Sequence, residues 1–145
     1  MDFFSAMNVS SSALAAERTR MNLISSNLAN ANATRTPEGG PYKRKDAIFA
    51  ATPVENRFSR ALDGATAQQV RKVEVSAIIE DQSQPRLQYD PSHPDADPQG
   101  YVAMPNVNVV EEMADMIGAT RAYEANITAV QAAKSMALKT LEIGK

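Results

Sequence analysis

"PNVNVVEEMADMIGATRAYEANITAVQAAKSMALKTLEIGK", residues 105–145, decides the fold. Asn108 stands before an apolar run with Glu111 three positions on, the spacing of a capping box with Asn in the cap. Three-and-four spacing then runs through Val109, Met113, Met116, Thr120, Tyr123, Ile127, Val130, Lys134, Ala137 and Leu141. Only Thr120 and Lys134 interrupt this stripe. No proline falls inside it, and Gly144 occupies a position favoured for a C-terminal cap. The spacing predicts one helix from Val109 to about Ile143. At about 1.5 Å per residue that helix is about 52 Å long. A compact chain of this size has a diameter of only about 38 Å. An unbroken helix therefore outruns the globule, and its stripe needs a partner. Its one weak point is Gly118, where glycine costs about 1 kcal/mol relative to alanine.

The partner lies at the other end of the chain. Met7, Leu14, Met21 and Leu28 recur every seven residues, with Ile24 and Ala31 on the same side. Asp2 is placed to accept from the free amides of a first turn. These features predict a helix from about Phe3 to Ala31. Pairing the two ends gives a mainly α fold: long N- and C-terminal helices in an elongated, antiparallel, coiled-coil-like unit with a small β-rich insert. Ser10, Thr120 and Lys134 fall on the seam, so the pair is expected to be marginal alone, because long helices draw most of their stability from tertiary packing. Small and amide-bearing faces (Ala29, Ala125, Ala129, Asn126) leave room for close neighbours. The pattern points to assembly.

Three segments follow: an N-terminal helix segment over 1–34, a β-rich middle over 35–107, and the C-terminal helix over 108–145. The middle opens on Pro37, Gly39, Gly40 and Pro41, which is turn chemistry. A short strand is expected over Ala47 to Ala51, and a mobile loop over about 52–69. Alternation at Val73, Val75, Ala77 and Ile79 reads as a half-buried strand. "RLQYD" and "GYVAM" are strand candidates flanking a proline-rich bend.

Composition excludes several functions. The chain has 145 residues, a formal charge of -2, 6% aromatics and no cysteine or tryptophan. Disulfides, zinc–thiolate sites and cysteine nucleophiles are absent on that count. The negative balance and few aromatics argue against nucleic-acid binding. The N-terminus "MDFFSAMNVSSSALAAER" carries an acid where a signal peptide wants Lys or Arg, and it lacks a sustained apolar core. No stretch approaches the roughly 18 apolar residues of a membrane span.

His93, the single histidine, stands in "YDPSHPDADPQG" among Asp90, Asp95 and Asp97. A calcium loop counted from Asp95 places Gly100 sixth but Asn106 twelfth, where a bidentate Glu is required. Pro85, Pro91, Pro94 and Pro98 favour a stiff turn in which Asp side chains cap amides. No nucleophile elbow or glycine-rich phosphate cradle accompanies it. "YKRK" at 42–45 reads as a solvated strand edge. No catalytic residue, cofactor or metal is expected, and the chain reads as a non-enzyme.

"SSNLANANATRTPEGG", residues 25–40, leaves the first helix oddly, with Asn27, Asn30 and Asn32 beside the apolar stripe. Their amides each donate and accept. They are expected to stay solvated in the free chain and to bridge backbones between subunits after assembly.

"SALAAERTRMNLISSNLANANATRTPEGGPYKRKDAIF" and the pieces "MPNVNVVEEM", "RAYEAN" and "AAKSMALKTLEIG" resemble the bacterial flagellar rod and hook protein family, nearest to its proximal rod members. The resemblance implies a structural subunit of the proximal rod of the basal body, carrying torque from the membrane ring to the hook. Its partners would be other proximal and distal rod proteins, the rod–membrane-ring adaptor and copies of itself. Export would use the flagellar type III apparatus, without a cleaved signal peptide, into the periplasm-spanning rod, with no direct membrane insertion. Subunit packing would fall to Leu14, Met21, Ile24 and Leu28 with Asn27, Asn30 and Asn32. The C-terminal helix would contribute Val109, Met113, Met116 and Tyr123, with Ile127, Val130 and Leu141. The alternative is a secreted helical adaptor or export chaperone that binds one partner through the C-terminal stripe.

Overall fold

The computed structural model describes residues 3–53 and 71–143. Asp2 and Gly144, the expected caps, and most of the expected 52–69 loop lie outside them. Helix α1 spans Phe3–Ala29 and helix α2 spans Val109–Ile143. Between them run four strands, β1 (Lys45–Pro53), β2 (Arg71–Glu80), β3 (Arg86–Tyr89) and β4 (Tyr101–Met104). They form two separate two-stranded antiparallel sheets, β1–β2 and β3–β4. The chain is mainly helical with a small β insert.

The start of α2 is set by Asn108, whose side-chain oxygen accepts the Val110 amide at 3.1 Å. Its backbone carbonyl accepts from Glu112 at 3.0 Å. Glu111, the expected partner in a capping box, stays exposed. Gly118 lies inside the unbroken helix.

The two helices run antiparallel. Asn27 meets Glu112, Arg20 lies near Asp115, and the Met21 sulfur lies 3.9 Å from the Thr120 hydroxyl. Small residues let them approach closely: Ala16 and Ala119 are buried, as is Ile24. The expected stripe on α2 divides here. Met116, Tyr123, Ile127, Val130 and Ala137 are half-buried. Val109, Met113 and Leu141 face solvent, as do Thr120 and Lys134. Glu112 and Ala119, seven apart, take the innermost positions instead. The helix is rotated from its most apolar line, with Glu112 held inward by polar partners and Ala119 small enough to permit the close contact.

The β1–β2 hairpin lies along α1. Lys45 binds Asn27, and the Val73 amide donates to the Ser12 hydroxyl at 3.1 Å. The register runs from Lys45↔Glu80 to Pro53↔Arg71, with an irregularity between Ile48 and Phe49. Thr52 and Pro53 belong to β1, so the strand is longer than the expected 47–51. Val73 and Val75 are half-buried as their alternation predicts, but Ala77 and Ile79 are exposed. They lie beyond the register shift, where a bulge changes which way the strand faces.

The β3–β4 hairpin closes on the proline-rich bend. The Asp90 carboxylate accepts from the Ser92 hydroxyl and amide, which hold it below the usual carboxylate range. Asp97 accepts the amides of Gln99 and Tyr101 at 2.8 and 2.9 Å. The Thr34 hydroxyl donates to Asp95 at 2.8 Å and ties the bend to the chain leaving α1. Tyr89 and Tyr101 meet edge to face with centroids 5.3 Å apart. Gly100 closes the bend with a positive φ of 84°, and a Cβ there would stand 2.9 Å from the Tyr89 ring. Gly100→Ala is therefore expected to cost about 1–3 kcal/mol, through both a strained backbone and a forced ring shift. Denaturant melts, with amide exchange over Tyr101–Met104, would check it.

Candidate assembly interface and its buried polar cluster

Where α1, the start of β1 and the start of α2 converge, the core is polar. Asn27 and Glu112 are each only 1% exposed. An unpaired amide or carboxylate in that position would be costly, so each group's partners matter. The Asn27 amide nitrogen donates to the Lys45 carbonyl at 2.9 Å and to Glu112 Oε2 at 3.1 Å. Its oxygen accepts from the Lys45 amide at 3.0 Å and from the Tyr42 hydroxyl at 3.0 Å. Two donors and two acceptor sites are the full capacity of a primary amide, and all are used. The expectation that Asn27 stays solvated in the free chain is corrected: the side chain bonds the backbone of its own β1.

Glu112 Oε1 accepts from Arg44 Nε. Arg44 also lies 3.2 Å from Asp46 and 3.7 Å from Asp115. Burial works against the Arg44 charge, but the hydrogen bond and charge of Glu112, helped by Asp46, outweigh it and hold the guanidinium above its usual range. The Arg44 amide donates to Asn106 Oδ1 at 2.9 Å, and the Asn106 amide reaches the Asp81 carbonyl at 3.3 Å. One cluster thus joins both helices to both ends of the hairpin. Its groups are spent on one another and on the backbone, which suits it to holding the elements together.

The other packing candidates divide by exposure. Ile24 is buried, and Leu14, Met21 and Leu28 are half-buried along α1. Asn30 bonds the Ser26 carbonyl at 2.8 Å, finishing its own helix, and Asn32 is exposed. On α2 the solvent meets Val110 at 74%, Met113 and Ile117 at 55%, and Leu141 at 70% exposure. Scattered exposed apolar residues are ordinary, but Val110, Met113 and Ile117 share one face at three-and-four spacing. No helix of the described residues is long and apolar enough to cross a membrane.

Sequence reading missed Glu112 and Arg44. The available signal was an acid on the line of Ala119, seven residues before it, facing the basic run at 42–45. The apolar stripe one position away outweighed it.

A helix pair with small residues at its seam, a β insert and an unpartnered apolar face is the form of a subunit built into a larger array. Residues 7–35 match the family described as flagella basal body rod protein, and residues 99–143 match the C-terminal region of the flagellar basal body rod FlgEFG proteins. Both matches point to one class, the rod proteins of the flagellar basal body.

Full-length relatives narrow it. The chain is 47% identical to the flagellar basal-body rod protein FlgC of Borreliella burgdorferi, over 99% of this chain and 98% of the relative. It is 45% identical to FlgC of Bacillus subtilis and 41% identical to FlgC of Salmonella typhimurium, each over 100% of both chains. The chain belongs to the FlgC family of flagellar basal-body rod proteins.

Proposed function

We propose that this chain builds the proximal rod through its paired terminal helices and carries torque from the membrane ring toward the hook. Its neighbours in this reading are copies of itself, other proximal and distal rod proteins, and the adaptor between rod and membrane ring. It reaches the periplasm-spanning rod through the flagellar type III apparatus, without a cleaved signal peptide. Leu14, Met21, Ile24 and Leu28 hold α1 to α2, as do Met116, Tyr123, Ile127 and Val130 from the other side. Val109, Met113 and Leu141, together with Asn32, are the groups offered to neighbours.

The observation that carries the reading is the outward row of Val110, Met113 and Ile117 on a helix of 35 residues. Burying apolar area at about 25 cal/mol per Å² favours covering such a row. The test is imaging of basal bodies from cells with and without this chain. Without it, basal bodies should stop at the membrane ring, with no rod and no hook. Rods of normal length in its absence, beside a discrete soluble dimer of the chain, would overturn the proposal in favour of an adaptor or chaperone.

A further inference from the structure

The first turns of α2 are inside out. Glu112 points into the protein and is buried, whereas its neighbours Val110 and Met113, and Ile117 one turn on, face solvent. Successive helical positions lie about 100° apart, so turning α2 by one position would bury Met113 in place of Glu112. Apolar burial alone favours that alternative. It does not occur, and the reason is local. Asn27, Tyr42 and Arg44, supplied by the first half of the chain, are arranged by the Lys45 backbone into a socket. Glu112 of α2 completes that socket by taking the Asn27 amide and the Arg44 guanidinium. Rotating Glu112 away would leave one proton of the buried Asn27 amide unpaired and take from Arg44 its Nε partner, leaving it Asp46 and Asp115.

We propose that Glu112 is a positioning residue that fixes the azimuth of α2, keeping the Val110–Met113–Ile117 face outward for the neighbouring subunits of the rod. Bonded polar groups inside an apolar seam often serve to select one arrangement among several of similar packing. Ala119 fits this role, because with no bulk it accepts close contact without dictating rotation. Asn106 secures the connection just before α2 through the Arg44 amide but leaves rotation of the helix free. Only the importance of the outward face for assembly rests on the function proposed above; the orientation is a property of the single chain.

The absence of cysteine from the sequence makes the test direct. Single cysteines placed by Ile117→Cys and Ala119→Cys in the full-length protein report opposite faces of α2 through their maleimide labelling rates. In the parent, position 117 should label fast and position 119 slowly. Glu112→Leu should reverse the order, slowing 117 and speeding 119 by several-fold each, while far-UV circular dichroism keeps the helix content. Glu112→Gln keeps the shape and one acceptor, so it should move both rates in the same senses but less. General loosening would instead speed both positions. If Glu112→Gln retains helix and both positions speed up, or if neither variant moves either rate, Glu112 does not set the azimuth and the proposal fails. Labelling reads orientation without any rod, so a wrong assembly reading would leave this result standing.

Discussion

Glu112→Ala should lower the stability of the chain by about 3 kcal/mol, toward the lower end of the cost of breaking a buried ion pair. The sign follows from what is left behind. Removing the carboxylate takes the partner from Arg44 Nε, on a half-buried side chain, and from one proton of the fully buried Asn27 amide. The cost stays at that lower end because Arg44 keeps Asp46 at 3.2 Å and Asp115 at 3.7 Å. Single domains hold only about 5–15 kcal/mol in total, so the loss is a large share. Urea melts followed by circular dichroism should show a clearly lower midpoint. Glu111→Ala, one residue away on the exposed side, should stay within about 0.5 kcal/mol of the parent. Equal effects at the two positions would mean that the polar cluster contributes no more than a surface charge.

The bounds of α2 are legible in the sequence because several signals agree there: Asn108 as a cap, sustained spacing, and no proline before residue 143. The antiparallel pairing is legible as well, since a helix of that length must find an apolar partner and the N-terminal stripe is the nearest. Strand β2 is legible in its first half only. Alternation specifies a face until a bulge interrupts it, and nothing in "VEVSAIIE" marks Ser76 as the residue that falls out of register.

The rotation of α2 is the instructive miss. Hydrophobic periodicity ranks residues by the burial they would prefer, and on that ranking Met113 belongs inside. The energy of a four-bonded amide and a paired carboxylate depends on residues 85 and 68 positions away, which no local window contains. The same limit explains Asn27. As a residue type it reads as a poor helix former that prefers solvent, yet the backbone of β1 supplies partners on both sides. Asn30, bonded to a carbonyl four residues earlier in its own helix, behaves as local rules anticipate.

Ile127→Asp is expected to abolish rod assembly and motility while the subunit is still made and its β hairpins still form. Ile127 is half-buried midway along α2, between Tyr123 and Val130 on the side facing α1. An aspartate there replaces apolar contact with a carboxylate that has no cation of α2 within one turn, the nearest, Arg121 and Lys134, being six and seven residues away and exposed. A cost of about 2–3 kcal/mol is the expected scale for such a change. The seam is built from Ala, Met and single aliphatic side chains, with Tyr123 the one aromatic among the described side chains on it, so it holds little reserve against that loss. The effect should fall on the helix pair and spare β1–β2 and β3–β4, whose ladders are closed by their own backbone bonds. Gln84→Asp, in the exposed turn between β2 and β3, adds the same charge away from the seam and should leave rods and swimming intact. The comparison uses motility plates, basal-body imaging and immunoblots for both variants. Normal rods in Ile127→Asp cells would mean that the α1–α2 pair is not what the rod is built on, and the outward face of α2 would then need another explanation.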